Sequence, residues 1–232
     1  MEFNELNGEQ RRQSVDLGHV FEAYEEANDL MSHSYLGSMR WLKRKGIEYL
    51  HRKKGNTEKS LGPRSAETEK KYDAFYSGRK QTKDRINSLS NRMQEMAPVN
   101  RALNLGRVPK LTAKILRKLS QERLLGDHLL VVGTNALWAY EAKTGIQLTS
   151  ELLATTDADF LMDSRKHVSL LTEHARKEGI IGLLKKVDSS FEMRSERDFK
   201  AINKEGFSVD LIQPEDFKAQ LSGKARKTLG TK

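Results

Sequence analysis

LLVVGTNALWAYEAKTGIQLTSELLATTDADFLM, residues Leu129–Met162, reads in order as strand, turn, helix, loop and strand. Leu129–Val132 is a short apolar strand, Gly133 and Thr134 make a turn, and a helix runs from about Asn135 to near Gly145. A second strand, Thr155–Met162, carries Asp157 and Asp159. Residues i and i+2 of a strand share a face, so both carboxylates stand on one side and the small Ala158 turns to the other. A third acid, Asp210, sits inside a later strand-like run, Phe207–Ile212 (FSVDLI). Asp159 and Asp210 are each embedded in apolar neighbours, and a carboxylate in such a setting needs a partner. Three carboxylates on neighbouring strands would make an oxygen-rich site for one or two Mg²⁺ or Mn²⁺ ions.

Outward from that stretch, composition sets the limits. The 232 residues allow one large domain or two small ones with a sizeable core. With 37% hydrophobic and 31% charged residues, the chain is polar without being disordered in composition. The absence of cysteine excludes disulfides and thiolate metal sites and fits a reducing cytoplasm. The opening MEFNELNGEQRR lacks the apolar core of a secretory signal. No run approaches the roughly 18 apolar residues of a membrane helix, so a cytoplasmic protein without a membrane partner is expected. The net charge of +9 arises wholly before residue 127, and the remainder is balanced. A basic half beside a carboxylate-bearing half suggests a surface for RNA or another polyanion. The plainer alternative is that these lysines and arginines solvate long helices.

Residues 9–31 have helical spacing. Gly37–Lys54 alternates instead, with a turn at Lys45-Gly46, and reads as a β-hairpin. Its basic residues interleave with Trp41 and Tyr49, a pattern that suits a nucleic-acid strand or, more plainly, a solvated hairpin docked through its aromatic side. Gly55–Arg64 reads as a loop, and Ser65 caps a helix that breaks near Ser77-Gly78 and ends or kinks at Pro98. Leu111, Ile115, Leu116 and Leu119 form one apolar stripe, a core face. Further elements follow at Val168–Lys177 (helix) and at Phe191–Met193, Asp198–Asn203 and Phe207–Ile212 (strands), the last two joined as a hairpin.

The residue types suit work on a nucleoside triphosphate. A glycine turn entering a helix lets backbone N–H groups approach phosphate, and Thr134 adds a hydroxyl, so Gly133, Thr134 and Asn135 are the candidate nucleotide-binding residues. Asp157, Asp159 and Asp210 are the candidate metal ligands and catalytic acids, with Asp210 helping to activate an attacking hydroxyl. Arg64, Arg107, Arg165 and Lys166 are loop cations that could meet phosphates or pair with carboxylates. The six histidines show no metal-ligand spacing, and neither a Walker A loop nor a G-x-S-x-G elbow is present.

Gly133-Thr134, Asp157-Ala158-Asp159 and Asp210 resemble the signature of the DNA polymerase beta-like nucleotidyltransferase superfamily. More narrowly, GSMRW, SLGPRS, LGRVP, VVGTNALWAYEA and ELLATTDADFL resemble a mostly bacterial nucleotidyltransferase-like family. The resemblance implies an α+β fold: a small mixed β-sheet core flanked by helices, preceded by a mostly helical N-terminal region with a β-hairpin. It implies Mg²⁺ or Mn²⁺ as cofactor and transfer of a nucleoside monophosphate from a nucleotide triphosphate to a hydroxyl on RNA, protein or a small molecule. The expected division is a basic region over residues 1–107, a catalytic domain over 108–220 and a basic tail over 221–232. Relatives usually carry a helical domain after the catalytic one, whereas little chain follows Asp210. Either the basic N-terminal half holds base and acceptor, or the chain is a shortened version; the alternative function is a nucleic-acid-binding or regulatory module that keeps the fold with catalysis lost or incomplete.

Overall fold

A computed structural model of the chain describes residues 3–126, 128–162, 173–195 and 199–212. They form two units: residues 7–106, and residues 3–6 together with the described residues from Arg107 onward. Strand β1 (Phe3–Glu5) therefore belongs with the later half of the chain and not with the helix that follows it.

In the first unit, two capped helices hold a small sheet. Helix α1 (Gly8–Ser34) starts at a capping box in which Asn7 Oδ1 accepts from Gln10 N and Asn7 N donates to Gln10 Oε1, both at 2.9 Å. Strands β2 (Ser38–Arg44), β3 (Ile47–Lys54) and β4 (Thr57–Pro63) form an antiparallel sheet in that order. The expected hairpin is thus two strands of three, and Gly55–Arg64, read as a loop, is a turn followed by β4. Gly62 and Pro63 hid the strand in the sequence. Pro63 is tolerated because it ends the strand, and Gly62 lies beside the register shift at Leu50/His51.

Helix α2 (Ala66–Ala102) begins at a second box, Ser65 with Thr68, and runs unbroken through Ser77-Gly78. Gly78 is a contact glycine: a Cβ there would stand 2.2 Å from the Tyr35 hydroxyl. Pro98 lies inside the last turns, and the helix continues past it to Ala102. The start of α1 meets the end of α2, where Gln13 Nε2 donates to Asn100 Oδ1 (2.8 Å) and Gln10 Nε2 to the Leu103 carbonyl (2.9 Å). Met39, Leu50 and Phe75 form the core between sheet and α2, joined by Trp41, Tyr72 and Tyr76.

The second unit contains α3 (Lys110–Gln121), β5 (Leu129–Val132), a 3₁₀ turn (Gly133–Ala136), α4 (Leu137–Thr144), β6 (Ile146–Leu148), α5 (Ser150–Leu153), β7 (Asp157–Met162), α6 (Glu173–Val187), β8 (Glu192–Ser195), β9 (Lys200–Ile202) and β10 (Ser208–Ile212). Its main sheet has the order β5-β7-β10-β9-β8; β7 and β10 run parallel and the other pairs antiparallel. β1 pairs with β6 in a separate two-stranded sheet. One sheet face carries Ala158, Phe160, Met162, Val209 and Leu211 into a core shared with Ile115 and Leu119 of α3 and Leu183 and Leu184 of α6. α6 is kinked at Gly179, which is left-handed (φ 67°). Its expected beginning at Val168, like the basic tail over 221–232, lies outside the described residues. The whole is an α+β fold with small sheets flanked by helices. Among the described residues no helix is long and apolar enough to cross a membrane.

Candidate active site

The alternation that sends Ala158, Phe160 and Met162 inward leaves Asp157 and Asp159 together on the opposite face of β7, each half-buried. In the parallel pairing Asp210 lies opposite Asp159, and on the other side of β7 Val132 lies opposite Asp159. The backbone thus brings the three expected acids to one face, at the strand end from which the Gly133 turn departs.

Gly133 has φ +64°, a left-handed conformation that side chains other than glycine rarely adopt. A Cβ there would stand 2.7 Å from Asp159 Oδ2, so the carboxylate rests against the bare Cα. Helix entry begins as a 3₁₀ turn without a capping side chain, which leaves backbone N–H groups for another acceptor. Gly133 is exposed and Thr134 half-buried, but Asn135 is turned inward, 4% exposed. Asn135 Nδ2 donates to the Asp157 carbonyl at 2.7 Å, tying the turn to the start of the acid strand, while Oδ1 is buried without a hydrogen-bond partner among the described residues.

The carboxylates have unequal surroundings. Thr155 Oγ1 donates to Asp157 Oδ1. Lys200 Nζ donates to Asp210 Oδ2 at 2.8 Å, and this contact holds the lysine's pKa above its ordinary value. The Asp159 carboxylate accepts no hydrogen bond from a described residue. Burial, and then the charges of Asp157 and Asp210, raise its pKa, with Lys200 acting weakly against them. Among the described residues no three His, Cys, Asp or Glu side chains converge as a ready metal-holding group. The donor chemistry nevertheless fits a divalent cation: hard oxygens on adjacent strands, one of them carrying a carboxylate that like charges disfavour.

Lys200 and Thr155 were not singled out in the sequence. Their signals were local. Asn203 N donates to the Phe207 carbonyl at 3.0 Å to close the β9–β10 hairpin, and that closure fixes Lys200 opposite Asp210. Asn203 Oδ1 also accepts from Phe207 N (2.8 Å) and Glu205 N (3.1 Å), and Nδ2 donates to Asp188 Oδ2 (3.0 Å), so this buried amide sets the register. The loop arginines take the carboxylate option. Arg64 pairs with Glu48 (2.6 Å) and Glu69 (2.8 Å), and Arg107 pairs with Glu141 (2.8 Å). Arg165 and Lys166 lie outside the described residues.

The geometry makes Gly133→Ala a sharp test of the turn. Left-handed backbone costs a residue with a Cβ about 1–2 kcal/mol, and the new methyl also pushes Asp159 aside. Urea unfolding should show a loss of about that size; an unchanged stability would mean that the turn relaxes freely.

A nucleotidyltransferase family model matches residues 110–228, just over half of the chain, beginning at the first residue of α3. No curated protein and no solved structure matches. The match spans the glycine turn, the acid pair and the third acid, all on one small mixed sheet, and by it the chain belongs to a family of nucleotidyltransferases.

Proposed function

We propose that the protein is a metal-dependent nucleotidyltransferase that moves a nucleoside monophosphate from a nucleotide triphosphate to a hydroxyl acceptor, on the pattern of the DNA polymerase beta-like superfamily. The observation that carries this reading is the register of β7 and β10: Asp157 and Asp159 share a face, and Asp210 stands opposite Asp159. Asp157, Asp159 and Asp210 would hold Mg²⁺ or Mn²⁺, which when bound neutralises phosphate charge and favours ionisation of an attacking hydroxyl. The exposed Gly133 backbone and the Thr134 hydroxyl receive the triphosphate at the uncapped turn. Lys200, 43% exposed at its side chain, pairs with Asp210 and is open to a phosphate. Asp210 accepts the acceptor's proton, and the outgoing pyrophosphate leaves with the bond to the α-phosphorus broken.

The Lys200–Asp210 ion pair also supports a second reading, a regulatory or nucleic-acid-binding module that keeps the fold and has lost the chemistry. One experiment separates the two. Each radiolabelled nucleotide triphosphate is incubated with the protein, Mg²⁺ or Mn²⁺, and RNA, protein or small-molecule acceptors. The transferase reading expects label in one acceptor class, reduced about 10²-fold or more by Asp157→Ala. No label with the native chain, or equal label with Asp157→Ala, overturns it.

A further inference from the structure

The β2–β3–β4 sheet turns Met39, Trp41 and Leu50 toward α2, and its register puts Leu42, Arg44, Ile47, Tyr49, His51 and Ser60 on the opposite face. A cavity of about 420 Å³ opens on that face, lined by Arg44, Lys45, Ile47, Tyr49, His51 and Ser60. A volume of this order takes a nucleotide-sized ligand.

His51 is 7% exposed, yet its Nδ1 has no hydrogen-bond partner among the described residues. The nearby Glu58 carboxylate stands 3.7 Å away, beyond hydrogen-bond distance, and is gripped by Arg40 at 3.0 Å. Nδ1 therefore faces Glu58, while the His51 side chain also lines the cavity beside Ser60. The cations divide cleanly. Arg40, Arg52 and Arg64 are engaged, with Glu58, with the Ser34 carbonyl, and with Glu48 and Glu69. The side chains of Arg44 and Lys45, which line the cavity, make no ion pair or hydrogen bond with a described residue. The two aromatic rings of the expected hairpin also part company. Trp41 lies in the core against Tyr72 with Arg64 over it, whereas Tyr49 lines the cavity.

Two open cations suit a phosphate, an aromatic ring suits a base, and the His51 ring beside the Ser60 hydroxyl suits a ribose 2′-hydroxyl. On the same face the basic character continues along β3 to Lys53. At roughly 3.3 Å per residue, Ile47 to Lys53 spans about 20 Å, longer than one nucleotide. A duplex hides its base faces from Tyr49; a single strand presents them. We propose that this sheet face binds single-stranded RNA, with one nucleotide seated in the cavity: phosphate on Arg44 and Lys45, base on Tyr49, and 2′-hydroxyl on His51 and Ser60. The binding does not depend on the transfer chemistry.

Fluorescence anisotropy of a labelled oligouridylate of about twelve nucleotides, with the full chain and no triphosphate, tests it. The native chain should bind RNA more tightly than DNA of matching sequence, and His51→Gln should shrink that preference. Arg44→Ala with Lys45→Ala should lower the log–log salt slope by about 0.7, the value for one phosphate on a single strand. Tyr49→Leu should weaken binding about tenfold, and Tyr49→Phe should not. Removing two charges from α2 with Lys70→Ala and Lys83→Ala is the control, expected to stay within about twofold. Circular dichroism verifies that each variant is folded. Equal affinity for DNA overturns the RNA assignment, an equal loss in the α2 control overturns the location, and native affinity in Tyr49→Leu overturns the stacking. None of these outcomes touches the transferase reading, and loss of labelling there leaves this binding intact.

Discussion

Asp159→Asn should melt at a higher temperature than the native protein at neutral pH and should lose nucleotidyl transfer by about 10²–10³-fold. Both effects have one cause. Burial and the charges of Asp157 and Asp210 disfavour the ionised Asp159 carboxyl, and no described residue donates a hydrogen bond to it. A carboxyl whose folded pKa lies above its unfolded value binds protons on folding. Its contribution to stability is therefore fully present below the unfolded pKa and is lost as pH rises through the folded pKa. The amide is nearly the same size, never ionises, and escapes that loss. The Tm difference between variant and native chain should thus be small in acid and widen toward neutrality in chelator-containing buffer. Adding Mg²⁺ should narrow it by raising only the native Tm, because a ligand that binds the folded state stabilises it. A variant that melts lower at neutral pH would show that Asp159 has a stabilising partner and is not a strained functional carboxylate. The trade of stability for activity is the pattern expected where selection has kept charges together for a ligand.

How much of this could be read before the fold was seen depends on the range of the interaction. Asp157 and Asp159 were legible because a strand has a period of two, and their same-face placement follows from adjacency in the chain. Asp210 was legible through its apolar neighbours, which announced a strand, although only the parallel pairing assigns it to Asp159. The inward turn of Asn135 was not legible. The chain enters α4 through a 3₁₀ turn of three residues per turn, and Asn135 there is buried with its Nδ2 on the Asp157 carbonyl. β1 and β6, three residues each, are too short to carry a period, and they meet across more than half of the chain. β4 was masked because its Gly-Pro end looks like a loop until β3 supplies the hydrogen bonds. Trp41 and Tyr49 illustrate the same limit at one residue's resolution. The hairpin reads in sequence as docking through one aromatic side, whereas the strand register separates the two rings and α2 covers only the Trp41 face.

Glu141→Ala should cost about 3–5 kcal/mol, the penalty for leaving a buried charge without its partner. Glu141 is 8% exposed, and its Oε1 accepts from both Arg107 Nη1 and the Leu148 amide. Arg107 Nη2 donates to the Leu148 carbonyl at 2.9 Å, and the guanidinium lies over Trp138, 5.7 Å from the ring centre. One ion pair thus joins α4, β6 and the segment entering α3, and β6 is in turn the strand that pairs with Phe3–Glu5. Alanine at 141 strands the guanidinium and the Leu148 N–H together. Glu141→Gln keeps a side-chain oxygen for Leu148 N and loses only the charge, so it should cost clearly less. The double change Arg107→Met with Glu141→Leu removes both charges and fills the space, and should recover much of the single-variant loss in urea unfolding. Because α4 follows directly from the Gly133–Ala136 turn, Glu141→Ala should also lower transfer while leaving RNA affinity at the β2–β4 face unchanged. If the double variant is as unstable as Glu141→Ala, the pair is held for its hydrogen bonds to Leu148 and not for its charge. If RNA affinity falls with transfer, the damage is global unfolding and not displacement of α4.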